Sequence, residues 1–417
     1  MNPTASPTAT STSSPTAISP RPRRPVVLVT HSYYEEDPRV RRQAEAILAA
    51  GRPVDVIALR RPGDAPDGDV AGVRVHRLDV QRHQGAGLGT YLAEYLAFFV
   101  RVAPALVRAQ PRCRYALVQV ATLPDWLVFA ALPLRLAGVP VILDLHESMP
   151  DFFRSRFPGA ANPLAHRGLR LAEHVSIAAA SHVLTVNDAL RDRLLGLGTA
   201  PGHVTVVRNT PSLARFDPAA QPDRSFMADN TLRLVYAGAL TPTYELDVAV
   251  RAVARIASRR PDLAVQFDLC GRGDSRPSLE ALAKELGVAD RLTFHGRIPI
   301  EDVPAAIARA DIGLAPTRRD PFTDSSLSTK ILEYAAMRRP AVATRLPLVE
   351  RTFPAGTVAT YAPGDADDLA SQVLRIVDEP DARDSAITAS ANLVATMSWE
   401  RDALGYLALL ERFARDR

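Results

Sequence analysis

Residues Arg24 to Gly51 read RPVVLVTHSYYEEDPRVRRQAEAILAAG, and this stretch decides the fold class. Its first seven residues include a continuous apolar run, which is typical of a strand buried on both faces of a sheet. The next part predicts a helix, because Asp37 can cap it, Pro38 suits the first helical position and Gly51 can end it. One helical face collects the apolar residues Val40, Ala44, Ile47 and Leu48. A strand followed by such a helix indicates the α/β class.

The same alternation of strand and helix continues and then starts again midway along the chain. The first series contains six further predicted strands: VDVIAL, VRVHRL, YALVQV, PVILDL, HVLTV and VTVV. Residues 213–230 show no periodicity and are interpreted as a linker. Five strands are predicted after it: LRLVYAG, VQFDLCG, LTFHG, DIGLAP and PAVAT. We therefore predict two Rossmann-like, doubly wound domains, residues 25–212 and 231–394, that face a cleft.

The two ends of the chain differ from these domains. Residues 1–24 are rich in Ser, Thr, Pro and Ala, so we expect a disordered tail without the apolar core of a signal peptide. The segment SWERDALGYLALLERFARD near the other end predicts an amphipathic helix with no strand after it. We expect this helix to dock back across the domain interface.

Composition restricts the function classes. The 417 residues include 50 basic and 46 acidic side chains, which nearly cancel. No basic run of any length lies in the folded part, so a nucleic-acid partner is not expected. Cys113 and Cys270 lack the spacing of a disulfide framework or a zinc site, which fits a cytoplasmic protein.

One segment is unusually apolar. Residues 91–107 read YLAEYLAFFVRVAPALV, and Glu94, Arg101 and Pro104 interrupt the run, so no membrane-spanning segment is predicted. The segment is interpreted as a partly buried helix. The alternative is an interfacial helix that lies on a membrane and gives the protein a peripheral membrane contact.

The stretch DSSLSTKILEYAAMRRP, Asp324 to Pro340, carries the main candidate site. It follows a predicted strand, and Ser328 is placed to cap the helix that begins there. The free backbone N–H groups of such a loop and helix start favour an anion, and a diphosphate is the natural guest. Lys330 would add a positive charge, and Glu333 could accept from two ribose hydroxyls. The alternative is a capped helix with a solvated lysine and glutamate. The candidate donor-binding residues of the stretch are Ser325, Ser326, Leu327, Ser328, Lys330 and Glu333.

Other strand ends supply further candidates, because open parallel sheets bind ligands there. Gly238 ends one strand, and the G-x-G of Gly271, Arg272 and Gly273 follows another, which permits close approach of a ligand or simply a tight turn. His295 also ends a strand and is equally compatible with a structural role.

In the first domain, His146 and Glu147 follow the buried strand PVILDL directly. A histidine at this rim can bond a substrate hydroxyl, so both residues are catalytic candidates, and the alternative is a buried structural histidine. Asp37, Arg39 and Asp125, in other strand-end loops, are assigned to the acceptor side. Asp37 could equally be a helix cap alone.

Six segments, in order, resemble the GT-B glycosyltransferases of the large retaining family four. They are LDLHESMPDFF, VTVVRNTP, LVYAGALTPTYELDVAVRAVA, FDLCGRGDSRPSLEALA, FHGRIPIEDVPAAIARADIGLAPT and STKILEYAAMRRPAVAT. The resemblance implies that the second domain holds a nucleotide-diphosphate sugar and the first holds the acceptor. It implies that Glu333 binds the ribose, Lys330 and the amides of residues 325–328 the diphosphate, and His146 the transferred sugar. It also implies that the final helix, within residues 395–417, crosses back to the first domain.

The chain departs from the family pattern in two places. The family often has two glutamates eight positions apart, and the position eight before Glu333 is Ser325. Asp320 or Asp324 would then have to replace the missing carboxylate. The cations that often follow the Gly238 loop are also absent, so Lys330 and Arg272 would have to compensate.

The resemblance implies transfer of a sugar from a UDP- or GDP-sugar to an acceptor hydroxyl with retained anomeric configuration. No carboxylate nucleophile is evident, which favours attack on the face that the diphosphate leaves. No metal and no tightly bound cofactor are predicted, because no D-x-D motif follows a strand. The acceptor class stays open between a glycan, a lipid-linked molecule and a small molecule. The alternatives are a nucleotide-sugar epimerase on the same scaffold and a non-catalytic partner with a decayed donor site.

Overall fold

The computed structural model describes residues 23–82, 87–157, 159 and 162–416. Apart from its last two residues, the predicted disordered tail lies outside the described residues. Two sheets, one in each half of the chain, form the frame of the molecule, and their strands are parallel except at one edge of the first sheet. The predicted α/β architecture of two Rossmann-like domains is therefore confirmed.

The first sheet has eight strands in the order β3-β4-β2-β1-β5-β6-β7-β8. The strands are β1 Val26–Val29, β2 Val54–Leu59, β3 Asp67–Val70, β4 Val73–Leu78, β5 Leu117–Ala121, β6 Val141–Leu145, β7 His182–Thr185 and β8 Val204–Val206. The helices of this half are α1 Pro38–Ala49, α2 Leu88–Cys113, α3 Leu132–Leu136, α4 Met149–Arg156, α5 Pro163–Ala179 and α6 Asp188–Gly196. Strand β3 pairs antiparallel with β4 at the edge, which the sequence pattern did not predict because its residues are Asp, Gly, Asp and Val.

The second sheet has six parallel strands in the order β11-β10-β9-β12-β13-β14. The strands are β9 Thr231–Ala237, β10 Ala264–Cys270, β11 Leu292–Gly296, β12 Ile312–Ala315, β13 Ala341–Thr344 and β14 Ala359–Tyr361. The helices are α7 Leu246–Arg259, α8 Arg276–Glu285, α9 Val303–Ala308, α10 Thr329–Ala336, α11 Pro347–Thr352, α12 Ala366–Asp378, α13 Pro380–Thr396 and α14 Trp399–Phe413. The three-residue β14 was missed because it is too short to show alternation.

Alternate side chains of β1 enter two different cores. Val27 and Val29 pack with Phe98 of α2 on one face, and Val26 and Leu28 pack on the other face with helices α1 and α14. Each buried aliphatic side chain contributes roughly 1.5–3 kcal/mol relative to exposure. This two-sided burial explains the uninterrupted apolar run of the strand.

Helix α1 begins as the sequence predicts. The Asp37 carboxylate accepts from the backbone N–H groups of Arg39 and Val40, at 3.1 and 3.5 Å. The chain leaves the helix through Gly51, whose φ of +75° lies in the left-handed region that glycine tolerates. This cap fixes the loop before α1 at the carboxyl end of β1.

The C-terminal helix α14 returns to the first sheet. Its Tyr406 and Leu410 are buried in the core that contains Val26, and Glu411 pairs with Arg52 at 3.1 Å. The backbone N–H of Trp399 donates to the carbonyl of Pro211, so the helix begins beside the connection between the two halves. The predicted crossing of the final helix is confirmed.

Candidate active site

A cleft of about 890 Å³ lies at the carboxyl ends of the two sheets and is lined by both halves of the chain. Its described lining carries eight cationic side chains against two carboxylates, Glu36 and Glu333. The cations are Arg39, Arg42, Arg61, Arg82, Arg215, Arg272, Arg297 and Lys330. Some are already paired, as Arg297 is with Glu36. The surplus of positive charge favours the binding of a polyanionic ligand.

Lys330, in the first turn of α10, is the most enclosed of these cations, with 7% of its surface exposed. Its Nζ lies 4.0 Å from the ring centroid of Tyr244 and 5.1 Å from that of Tyr236. Among the residues that the structure describes, no carboxylate forms an ion pair with it. A methyl group at Gly238 would overlap Cε of Lys330, so the glycine lets the lysine lie across this loop. The Gly238 loop lacks the cations that the family pattern often has there, and Lys330 of α10 places a positive charge beside this loop instead.

Glu333 lies one turn further along α10 and lines the same cleft. Burial raises the pKa of its carboxyl, although Lys330 and two arginines of the cleft act in the opposite direction. Among the described side chains and backbone groups, none donates a hydrogen bond to this carboxylate. The side chain is half-buried, so its free oxygens can accept from paired hydroxyl donors of a ligand in the cleft.

The backbone at the start of α10 corrects part of the sequence prediction. The N–H groups of Ser325 and Ser326 donate to the carbonyls of Phe322 and Thr323, so they are not free for an anion. The N–H groups of residues 327–330 have no acceptor within the described chain. Ser328 occupies the cap position, but its hydroxyl makes no capping bond and is buried without a partner. The amides that stay free for an anion are therefore those of residues 327–330 rather than 325–328.

The G-x-G motif packs two loops together. The N–H of Leu240 donates to the carbonyl of Arg272 at 2.8 Å, and side chains at Gly271 or Gly273 would collide with the backbone of residues 238–240. Gly271 and Arg272 line the cleft, whereas Gly273 is absent from its lining. Gly273 therefore serves the close packing of the two loops and does not contact the cleft. Arg272 is the residue of this motif that places a positive charge in the lining of the cleft.

His146 follows β6 directly and is 5% exposed. Its Nε2 lies 3.1 Å from Oδ2 of Asp144, although neither ring nitrogen has an aligned hydrogen-bond partner among the described residues. Burial opposes ionisation of Asp144, yet the nearby His146 ring and the amide of Gln43 hold the pKa of the Asp144 carboxyl below its ordinary value. The histidine therefore sits against an ionised carboxylate.

A chain of buried hydrogen bonds connects this carboxylate to the C-terminal helix. Oδ2 of Asp144 accepts from Nε2 of Gln43 and Nε2 of Gln119, each at 2.9 Å. Oε1 of Gln119 in turn accepts from the hydroxyl of Tyr406, at 2.8 Å. Tyr406 lies on α14, so the crossing helix supports the group behind His146. No sequence motif marked Gln119 or Tyr406.

In the loop before α1, close to His146, Asp37 and Arg39 act as a unit. The Nε of Arg39 donates to Oδ1 of Asp37 at 3.1 Å, and the Ser32 hydroxyl donates to Oδ2 at 2.9 Å. Burial alone would raise the pKa of Asp37, but the Arg39 guanidinium holds it well below its usual range. Of these two residues, Arg39 lines the cleft and Asp37 does not. Asp37 therefore caps α1 and orients the arginine.

A second chamber, of about 540 Å³, adjoins the cleft. It collects His146 and Glu147 from the first half and residues 325–327 from the second. It shares Arg39, Asn209, Thr210 and Thr329 with the cleft. The Nδ2 of Asn187 donates to the carbonyl of Ser325 at 3.0 Å, which ties the two halves together here. Asn187 and Asn209 lie in the loops just after β7 and β8, and that position was the signal that could have identified them.

Two predicted site residues lie elsewhere. Asp125 is completely buried in a 3-10 helix, Asp125–Ala131, outside both linings, and burial together with Glu173 raises the pKa of its carboxyl well above its ordinary value. Its assignment to the acceptor side was wrong, because the chain turns inward at the end of β5. His295 lies outside both linings on the edge strand β11, with Nε2 2.5 Å from Asp268.

The two proposed substitutes for the missing carboxylate are already engaged. Oδ1 of Asp320 accepts from the N–H groups of Phe322 and Thr323, each at 2.9 Å, and its Oδ2 accepts from the hydroxyl of Ser155. Asp324 pairs with Arg319 at 3.2 Å. Serine hydroxyls and backbone groups thus line the chamber where the family pattern has a glutamate.

Comparison with known proteins agrees with this geometry. Residues 231–379 match the family model for glycosyl transferases group 1, and residues 36–210 match that for a glycosyl transferase 4-like domain. The two facing sheets are those of the GT-B fold. The chain belongs to the group 1 glycosyltransferases.

Similar proteins span several biosynthetic roles. An alpha-D-kanosaminyltransferase of Streptomyces kanamyceticus is 27% identical over 272 residues, 63% of this chain and 67% of that protein. A glycogen synthase of Mycobacterium tuberculosis is 25% identical, over 85% of both chains. Among solved structures, sucrose-phosphate synthase of Thermosynechococcus elongatus superposes with a TM-score of 0.75 at 20% identity, covering 94% of this chain and 99% of that one. Anabaena Alr3699/HepE in complex with UDP-glucose gives 0.69 at 14% identity, covering 93% and 100%.

Proposed function

We propose that the protein transfers a sugar from a nucleotide-diphosphate donor to an acceptor hydroxyl with retention of anomeric configuration. The observation that carries the proposal is the start of α10, where Thr329, the enclosed Lys330 and the unpartnered Glu333 line one cationic cleft and the N–H groups of residues 327–330 are free. A diphosphate matches Lys330 and the free N–H groups, and the two hydroxyls of a ribose match Glu333. A UDP-sugar is the first donor to test, because solved structures of the same fold contain UDP or UDP-glucose. A GDP-sugar is the second.

The transferred sugar would lie in the second chamber, between His146 and residues 325–327. Arg39 belongs to both chambers and would face the bond between sugar and phosphate. As that bond breaks, Lys330 and the amides stabilise the charge that develops on the diphosphate. Asp144, the carboxylate against the histidine, is buried, accepts from two glutamine amides and lies outside both linings, so it is not placed to attack the sugar, whereas Glu147 lines the chamber beside His146. We therefore propose attack by the acceptor on the face that the diphosphate leaves, with His146 bonding a sugar hydroxyl.

One observation favours a second candidate, a non-catalytic partner that keeps the fold. Ser325 stands where the family often has a carboxylate, and Asp320 and Asp324 are engaged elsewhere. A protein of this kind would bind the nucleotide weakly or not at all and would release none from a nucleotide sugar.

The test is a panel of UDP- and GDP-sugars, scored first by thermal stabilisation and then by release of free nucleotide with mixed glycan, lipid-linked and small acceptors. We expect one nucleotide to stabilise the protein, and proton NMR of the product to show the donor's anomeric configuration. An inverted product would refute retention. No binding of either nucleotide at millimolar concentration would favour the non-catalytic candidate.

A further inference from the structure

The described residues with large exposed apolar side chains are concentrated on one layer of the molecule. Nine of the ten lie on α2, α3 and α5, and the tenth is Leu404 of α14. The nine are Leu92, Leu96, Val100, Val107, Leu132, Leu136, Leu164, Leu171 and Val175. All three helices pack against the 3-10 helix Asp125–Ala131, on the same face of the first sheet. We call their exposed side chains the apolar–basic face.

The charges on this face have a single sign. Helices α2, α3 and α5 contain two carboxylates, Glu94 and Glu173, and both are buried, with 6% and 0% exposed. Six arginines on the same helices are exposed: Arg101, Arg108, Arg112, Arg135, Arg167 and Arg170. The whole chain has 50 basic and 46 acidic residues, so this segregation is not a consequence of composition.

The packing of α2 decides between a helix that lies on a membrane surface and a helix that spans a membrane. Its 26 residues make it the one helix among the described residues that is long and apolar enough to cross a membrane, and 22% of its most apolar stretch is buried. Phe98, Val102 and Leu106 are completely buried in the first core, so this helix is part of the domain. Its opposite stripe, with Leu92, Leu96 and Val100 about one turn apart, remains outside.

We propose that the apolar–basic face docks on the surface of an anionic lipid membrane. Aliphatic side chains on the surface of a helix insert into the boundary between headgroups and acyl chains, and the flanking arginines reach the phosphates. Each arginine near such a surface contributes about 1 kcal/mol. A second copy of this chain fits less well, because a twofold contact would place arginines opposite arginines with no exposed carboxylate between them.

The experiment is flotation of the full-length protein with vesicles, and it needs no donor or acceptor. Wild-type protein is mixed with vesicles of phosphatidylcholine alone or with added phosphatidylglycerol. We expect flotation only with phosphatidylglycerol and release by high salt. The combined variant Leu92→Ser, Leu96→Ser and Val100→Ser should bind about tenfold more weakly or worse. Leu404→Ser, on the opposite layer and 72% exposed, is the matched control and should float like wild type.

A second variant tests the charges: Arg101→Gln, Arg108→Gln and Arg135→Gln together should abolish the preference for phosphatidylglycerol. Thermal unfolding midpoints equal to wild type show that the variants are folded. The proposal is overturned if folded wild-type protein does not float with phosphatidylglycerol, or if the serine variant floats equally well. It is also overturned if the serine variant instead converts a dimer to a monomer in sedimentation while no form binds vesicles.

Discussion

Nζ of Lys330 lies 4.0 Å from the ring centroid of Tyr244, and the lysine makes no ion pair with a carboxylate of the described chain. A cation held by aromatic rings keeps its charge available for a ligand. We expect Lys330→Ala to weaken UDP binding by about ten- to a hundredfold, measured by calorimetry. Lys284→Ala removes the only other lysine, which is exposed on α8, and should leave the affinity unchanged. Equal affinities in all three proteins would remove the lysine from the site.

Gly238 supports this position of Lys330. We expect Gly238→Ala to push the lysine away from the loop and to weaken UDP binding about tenfold, because the new methyl group would occupy the space of Cε. Gly405→Ala is the control, since nothing lies within 4 Å of a side chain there and the helix should gain about 0.5–1 kcal/mol. Unchanged affinity for UDP in Gly238→Ala would show that nucleotide binding does not require Lys330 to lie across the Gly238 loop.

Glu333 gives a prediction with a defined pH dependence. Its pKa is raised in the folded protein, so the ionised form costs stability, and this cost appears as pH rises through the folded pKa. Glu333→Gln should therefore unfold at a higher temperature than wild type at neutral pH, with the difference vanishing in acid. The same change should weaken UDP binding, and Glu333→Ala should weaken it about a hundredfold or more. Wild-type affinity in Glu333→Ala would refute the ribose assignment.

His146 and its support should separate turnover from binding. Once a productive donor and acceptor are found, we expect His146→Ala to lower kcat by about a hundredfold while changing nucleotide affinity little. Tyr406→Phe removes one buried hydrogen bond, so it should cost about 1 kcal/mol of stability and lower kcat in the same direction. Equal losses of kcat and nucleotide affinity in His146→Ala would mean that the histidine is only structural.

His31 predicts an acid-sensitive fold. Burial, with a smaller contribution from Arg82, lowers the pKa of this histidine from 6.5 to about 3. The unfolded chain then binds a proton that the folded chain rejects, so stability is lost as pH falls from about 6.5 toward 3. The slope from this one residue is at most about 1.4 kcal/mol per pH unit. His31→Gln should flatten the measured dependence over this interval, and an unchanged slope would contradict the prediction.

Sequence periodicity was sufficient to predict the two sheets, because buried parallel strands such as β1 leave continuous apolar runs. It also predicted the crossing helix from its amphipathic pattern. It was sufficient for α10, where Lys330 and Glu333 lie on a helix start after a strand. It failed at Asp125, because a strand-end position does not reveal whether the chain turns outward or inward. It also failed for Tyr406 and Gln119, whose roles depend on tertiary contacts between residues 287 positions apart.

The most direct test is a crystal structure of the full chain with UDP. The account predicts the diphosphate beside Nζ of Lys330 and the backbone amides of residues 327–330, with both ribose hydroxyls at the Glu333 carboxylate. A nucleotide bound elsewhere, with the start of α10 left empty, would contradict it.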